Sequence, residues 1–204
     1  MTPSAGTARP AGRAGLLERA ISYAVDTVHE VAPEHLSRPT PCQGWDLRML
    51  LGHANESLAA LHEGITARWV ALTPAPDGAY PVAADPVQTF RDRASRLLNA
   101  SASAGGHHLI TIADRRITLN TMTATGALEI AVHGWDISQA CGHRRPIPHT
   151  LALDLLELAP LLVPRTGRQP LFAPPVPVAL TASPSDRLTA FLGRTPQLTR
   201  KTTP

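Results

Sequence analysis

The chemistry this chain could do is concentrated in one pentapeptide, Glu129-Ile130-Ala131-Val132-His133. In a helix, a carboxylate and an imidazole four residues apart stand one turn apart on the same face. Both then reach a single cation between helices, the Glu through oxygen and the His through one ring nitrogen. Helical bundles build metal centres this way, from inward-pointing Glu and His on facing helices. A third donor must come from another segment, and His53 is the candidate. It follows Leu50 and Leu51 and precedes Ala54, on or beside an apolar face. Three protein donors and an open position make the layout of a catalytic metal site rather than a structural one. Spacing alone leaves two other readings standing. A Glu–His pair on a solvated face is a weak helix pair, and a His on an apolar face can be a packed core residue.

Other groups accompany these three. Asp136, three residues after His133, could hydrogen-bond a ligand imidazole on the side away from the metal. It could equally cap a neighbouring helix or pair with an arginine. Gly-Trp-Asp occurs twice, at 44–46 and 134–136. Trp45 and Trp135 read as packing at helix ends or as stacking surfaces for a ligand. Asp46 reads as a helix cap. Cys42 reads as a small buried residue, since a nucleophile needs exposure and a depressed pKa. Cys141, near a helix C-terminus, is unfavourably placed for a thiolate. Asn55 points away from His53, and Glu56 is either solvated or a partner one turn on. His107, His108, Arg115 and Arg116 could reach a pocket mouth or bind an acidic group, or simply be solvated. Tyr23, Met122 and Thr125 are further candidates for a pocket lining.

These groups need elements to position them. Apolar residues from Leu16 to Val31 recur at three and four, which predicts a helix that Pro33 ends. The turn-forming stretch 37–45 leads to Asp46, cap of a second helix ending near Gly64. Residues 70–84 read as loop. Asp85-Pro86 opens a third helix that fades over 101–106. Residues 107–119 carry two β-branched runs about Asp114–Arg116, a hairpin or bent loop. A long helix follows, with Asn120 as cap and Gly142 as stop. Another runs from His149 to about Leu162, stopped by Pro164. Residues 172–182 are proline-rich and extended. A short last helix starts at Ser183-Pro184 and runs to Leu192, with Gly193 as its stop. Four substantial helices in up-down order predict an all-α four-helix bundle with a short Pro-rich C-terminal α/β tail. The expected parts are a disordered tail over 1–12, the bundle over 13–165, and an extension over 166–204 with one short strand and one short helix.

Composition narrows the function. The 204 residues suit one domain with a short appendage. Hydrophobic residues are 43% and charged residues 17%, enough for a core. All but one of the 19 basic residues are Arg, and they are scattered, so no nucleic-acid stripe forms. Two Cys make no disulfide framework. No apolar run is long enough to span a membrane, and the N-terminus resembles no signal peptide. A reducing cytoplasm is the expected setting. Nine His against eight aromatic residues favours metal or proton chemistry.

Two segments carry a resemblance. TPCQGWDLRMLLGH, residues 40–53, and ALEIAVHGWDISQACG, residues 127–142, resemble the mycothiol-dependent maleylpyruvate isomerase superfamily, a group of DinB-like metal-binding bundles. The tail, residues 172–196, resembles the ending of a subgroup described only as metal-binding. The likeness runs in order over residues 16–196. It implies a DinB-like bundle with His53, Glu129 and His133 as the metal triad. The implied ion is a divalent metal, usually zinc, with nickel and iron also accepted. It further implies that the open position binds the thiol of mycothiol, the low-molecular-weight thiol of actinobacteria, whose high-GC genomes suit an Arg-rich, Lys-poor chain. Two departures bear on the isomerase reaction. Only about 40 residues follow the last bundle helix, where the isomerase has a further α/β module. Leu128 stands where the family often has an arginine.

Three functions are therefore carried forward. The first is a metal-dependent, mycothiol-dependent transferase or isomerase acting on a small-molecule substrate. The second is a thiol-independent Lewis-acid enzyme in specialised metabolism, a cyclase, dehydratase, hydrolase or isomerase. The third is a non-enzymatic metal-binding protein. No nucleic-acid or membrane partner is expected, and the chain is expected to be a monomer or homodimer.

Overall fold

A computed structural model describes residues 13–71, 84–103, 108–164, 166–168 and 172–196. The expected tail over 1–12, most of the 70–84 loop, and His107 lie outside the described residues. Among those described, six α-helices, a single 3-10 turn at Pro33–His35 and three short strands make up the fold. The α-helices and strands are, in order, α1 (Arg13–Val28), α2 (Leu47–Ala67), β1 (Trp69–Val70), α3 (Pro86–Ser103), β2 (Leu109–Ile112), β3 (Arg115–Thr118), α4 (Leu119–Cys141), α5 (His149–Leu162) and α6 (Pro184–Phe191).

Local chemistry sets most boundaries. The Asp46 carboxylate accepts the Met49 N–H at 2.8 Å and starts α2. Asp85 does the same for Gln88 ahead of α3, and Ser183 for Asp186 ahead of α6. The cap of α4 is Thr118, not the expected Asn120. Strand β3 runs straight into this helix, so its last extended residue turns the corner and accepts the Thr121 N–H.

The all-α bundle is present, with a different connectivity from the expected up-down order. Helix α1 packs on α3 and α4, and α2 packs on the same two. Hence α1 faces α2, and α3 faces α4, across the diagonals. The links from α1 to α2 and from α3 to α4 are crossovers, a known variation of four-helix architecture. The second link carries the β2–β3 hairpin, antiparallel with Ile110 opposite Ile117. Trp69 and Val70, the latter expected as loop, add a parallel strand to it. Two residues are too few to leave an alternating pattern.

Leu17, Ile21, Leu50, Leu58, Phe90 and Leu97 form the bundle core, each almost fully buried. Helix α4 is buried around most of its circumference and is the central helix. Helix α5 packs on α6, α4 and α1. The stretch 172–179, where the short strand of the extension was expected, carries neither helix nor strand. No described helix is long and apolar enough to cross a membrane.

Candidate metal centre

The bundle brings the three expected donors together. His53 leaves the middle of α2, and Glu129 and His133 leave successive turns of α4. His53 Nε2 lies 2.9 Å from Glu129 Oε1. The two imidazoles meet edge to face with ring centroids 5.0 Å apart. One donor atom from each residue fits within 4.8 Å of the others. A divalent cation could sit among them. Two imidazoles and a carboxylate are the donor set of three-ligand catalytic zinc sites, and also suit iron and nickel.

Each donor is held by a neighbour. Ser57, one turn beyond His53, donates its hydroxyl to Glu129 Oε1 at 2.6 Å. Burial works against the Glu129 carboxylate. The His53 hydrogen bond, the charges of His133 and His53 and the Ser57 hydroxyl outweigh it, holding the group at about 2. His133 Nδ1 bonds to Asp136 Oδ2 at 3.1 Å, which leaves Nε2 as its donor atom.

Asp136 is completely buried and is the hub of a second network. Arg194 reaches it with two nitrogens, at 2.8 and 3.3 Å. The Cys42 thiol donates to Oδ2 at 3.3 Å. Burial again opposes the charge, and the charge and hydrogen bond of Arg194, with the bond from His133, bring Asp136 down to about 2. The alternatives for this residue thus combine: it holds the imidazole and pairs with an arginine. Cys42, His133 and Asp136 form a second trio of donor atoms. Its carboxylate already carries three donors including a guanidinium, so this trio is a hydrogen-bond network rather than a cation site.

Cys42 is half-buried. Burial and the Asp136 charge push its thiol up to about 12 against the pull of Arg194. Burial likewise raises Cys141. Neither cysteine supplies a thiolate near neutral pH.

The donors form the floor of a cavity of about 330 Å³. Its walls are Leu128 and Val132 of α4, Leu162 and Val163 at the end of α5, and Phe172 and Leu192 of the tail. Arg194 reaches the site because the chain turns at Gly193 after α6. Thr125 lines this cavity, as expected. Met122 lines a neighbouring one. Trp45 contacts His53 edge-on at 5.1 Å, and Trp135 is buried in the bundle.

The remaining candidates lie elsewhere. Tyr23 donates its hydroxyl to the Arg145 carbonyl. Asn55 is buried and donates to the Pro86 carbonyl, and Glu56 pairs with Arg93. His108 lines a separate cavity with Arg68 and Ser103. Arg115 and Arg116 are exposed at the hairpin turn. Arg194 and Ser57 were not among the expected site residues. Ser57 carried a signal, since it lies four residues after His53 on one helix face. Arg194 carried none, being 58 residues from Asp136.

Comparison with known proteins adds the following. The family model described as the mycothiol maleylpyruvate isomerase N-terminal domain matches residues 17–138. That span holds Cys42, His53, Glu129, His133 and Asp136 but not Arg194. Two uncharacterized proteins of Mycobacterium tuberculosis, from strains CDC 1551 / Oshkosh and ATCC 25618 / H37Rv, are similar to the chain. Each is 27% identical over 172 residues, covering 81% of this chain and 88% of the relative. No solved structure matches.

Proposed function

The chain belongs to the mycothiol maleylpyruvate isomerase N-terminal domain family, and from that premise we propose that it is a metal-dependent enzyme acting on a small molecule with a thiol cosubstrate. His53, Glu129 and His133 hold a divalent metal, zinc by preference, and the cosubstrate is mycothiol. The reaction is a transfer or an isomerisation. The observation that carries this reading is the convergence of the three donors at the floor of an open cavity. When bound, the metal supplies Lewis acidity and lowers the pKa of a thiol or water at its open position.

The chain's own residues do the rest. Ser57 keeps Glu129 ionised and aimed at the cation position, where a bound cation would replace the contact between His53 and Glu129. Asp136 fixes the His133 ring through Nδ1, and Arg194 neutralises Asp136 from behind. Cys42, held as a neutral thiol, does not compete as nucleophile. A thiolate reaction here therefore draws its sulfur from the small molecule. The aliphatic and aromatic walls set apolar surface beside the reacting groups.

One observation favours a second reading in which no thiol takes part. Beyond the donors, the cavity wall is mainly apolar, a poor match to the sugars of mycothiol. A metal acting only as Lewis acid on a carbonyl would suit that wall.

Two measurements test these readings. Purified protein is expected to carry one metal per chain, and His53→Ala is expected to lose it. Stoichiometric metal in the variant overturns the triad. In cobalt-substituted protein, mycothiol is expected to produce a sulfur-to-cobalt charge-transfer band. An unchanged spectrum at saturating thiol leaves the thiol-independent reading.

A further inference from the structure

Glu129 and Thr125 each line two spaces. One is the cavity just described. The other, of about 200 Å³, lies between α2, α4 and the small sheet. Its walls are Ala60 and Leu61 of α2, Val70, Ile112 and Ile117 from the three strands, and Met122 of α4. Its polar groups gather around Glu129. They are the carboxylate itself, the Ser57 hydroxyl that donates to it, and Thr125 one turn before. The Thr125 hydroxyl is already engaged with the Thr121 carbonyl. Among the described residues lining this chamber, Glu129 alone is charged.

Packing over glycine keeps the chamber clear. Leu61 lies on Gly126, where a Cβ would stand 2.5 Å from Leu61 Cδ2. Met122 lies on Gly64, where a Cβ would stand 2.5 Å from its sulfur. Two large side chains thus rest on bare helix backbone instead of filling the space between them. The space is partly open to solvent, with Thr125 exposed in its lining, and its apolar side chains leave dispersion contacts unfilled on that side. An apolar chamber left beside a polar floor is suited to a ligand group that restores those contacts.

We propose that this chamber is the subsite for an apolar arm of the substrate. The substrate class is then a small molecule with a compact aliphatic or aromatic arm beside an oxygen- or sulfur-bearing head. The head meets Glu129 and the two histidines, and its placement rests on the function proposed above; the chamber's occupancy does not. An apolar cavity of about 150 Å³ accommodates benzene, so this one admits a ring with a small substituent. An anionic arm is disfavoured, because the only charge it would meet is the Glu129 carboxylate.

Toluene titrated into the full chain, read by methyl NMR, tests the chamber. Saturable shifts are expected at Leu61, Ile112, Ile117 and Met122. Ala60→Leu and Ile117→Phe fill the chamber from opposite walls, and each is expected to weaken toluene binding tenfold or more. Acetohydroxamate and benzohydroxamate on zinc-loaded protein then test the link to the head. The phenyl arm is expected to improve affinity tenfold or more, and either substitution to remove that gain. Toluene shifts confined to Val132, Leu162 and Val163, no shifts, or a phenyl gain that survives both substitutions each overturn the proposal. Toluene binding without either hydroxamate supports the chamber and removes the metal reading. Equal hydroxamate affinities without toluene binding do the reverse.

Discussion

The tripeptide Gly-Trp-Asp occurs twice, and its two copies live in opposite settings. Gly44-Trp45-Asp46 ends a loop. Gly44 sits at φ +80 with open space around it, Trp45 is half-buried against His53, and Asp46 caps α2. Gly134-Trp135-Asp136 lies inside α4. There Gly134 lets α1 approach until an added Cβ would be 3.1 Å from Ala24 Cα, Trp135 is buried, and Asp136 is buried completely. At a helix start, an aspartate finds unpaired N–H groups and spends its carboxylate on its own backbone. In a helix interior those groups are taken, so the carboxylate must find side chains, and a buried charge must find a cation. Asp136 finds His133, Cys42 and Arg194. Both copies nonetheless end on the same centre, Trp45 against one histidine and Asp136 against the other.

Removing the buried charge should have the largest effect. Asp136→Asn strands Arg194 beside an amide, and breaking a buried pair by removing one partner costs about 3–5 kcal/mol. Urea unfolding at neutral pH measures it. Acid adds a second reading. The folded pKa of Asp136, about 2, lies below its ordinary 3.8. The stability from its ionised form is therefore complete above pH 3.8 and lost as pH falls from there through about 2. Unfolding free energy should fall less steeply over that window in Asp136→Asn. Glu129 is also depressed to about 2, so some slope remains. A variant as acid-sensitive as the native chain would break the contrast between the two aspartates.

The glycines come next. Gly134→Ala pushes a methyl against the α1 backbone and the Tyr23 ring, an overpacking cost of about 1–3 kcal/mol. Gly44→Ala meets no atom, and its cost of about 1 kcal/mol comes from left-handed backbone alone. Asparagine separates the two causes. It tolerates that backbone, so Gly44→Asn should be milder than Gly44→Ala, while Gly134→Asn should be worse than Gly134→Ala. The same ranking at both sites would mean that one mechanism governs both. Asp46→Ala removes a single cap and should cost about 1 kcal/mol by thermal unfolding.

This contrast also marks how far sequence reading reaches. Asp46 was legible as a cap because its partner, Met49, is three residues away. Glu129 and His133 were legible because helix geometry fixes their relation before any packing. His53 needed its position on an apolar face, and the family resemblance to choose its partners. Asp136 could be read only as a set of alternatives, since its deciding partner is the distant Arg194. The crossovers escaped because periodicity reports which face of a helix is buried, not which helix buries it. Strand β1 escaped because its partner β2 lies some 40 residues on, and two residues of strand make no pattern.

The two tryptophans give the smallest and most specific prediction. Trp45 touches the edge of a proposed metal ligand. Trp135 follows His133 by two residues, so its side chain leaves α4 about 200° further round the helix. A cation bound by His53 changes the charge carried by that imidazole and hence the field at the Trp45 ring. Zinc has no absorption of its own to quench emission, so a response to it reports this neighbour effect. Zinc titration of the native chain is therefore expected to shift or change tryptophan emission modestly. Trp45→Phe should abolish the response with little loss of stability, and Trp135→Phe should preserve it. Trp69, about half exposed on β1, contributes a constant background in both variants. A response that survives in Trp45→Phe and disappears in Trp135→Phe would show that the loop copy of the tripeptide has no part in the centre. The helix copy alone would then support the site, through Asp136.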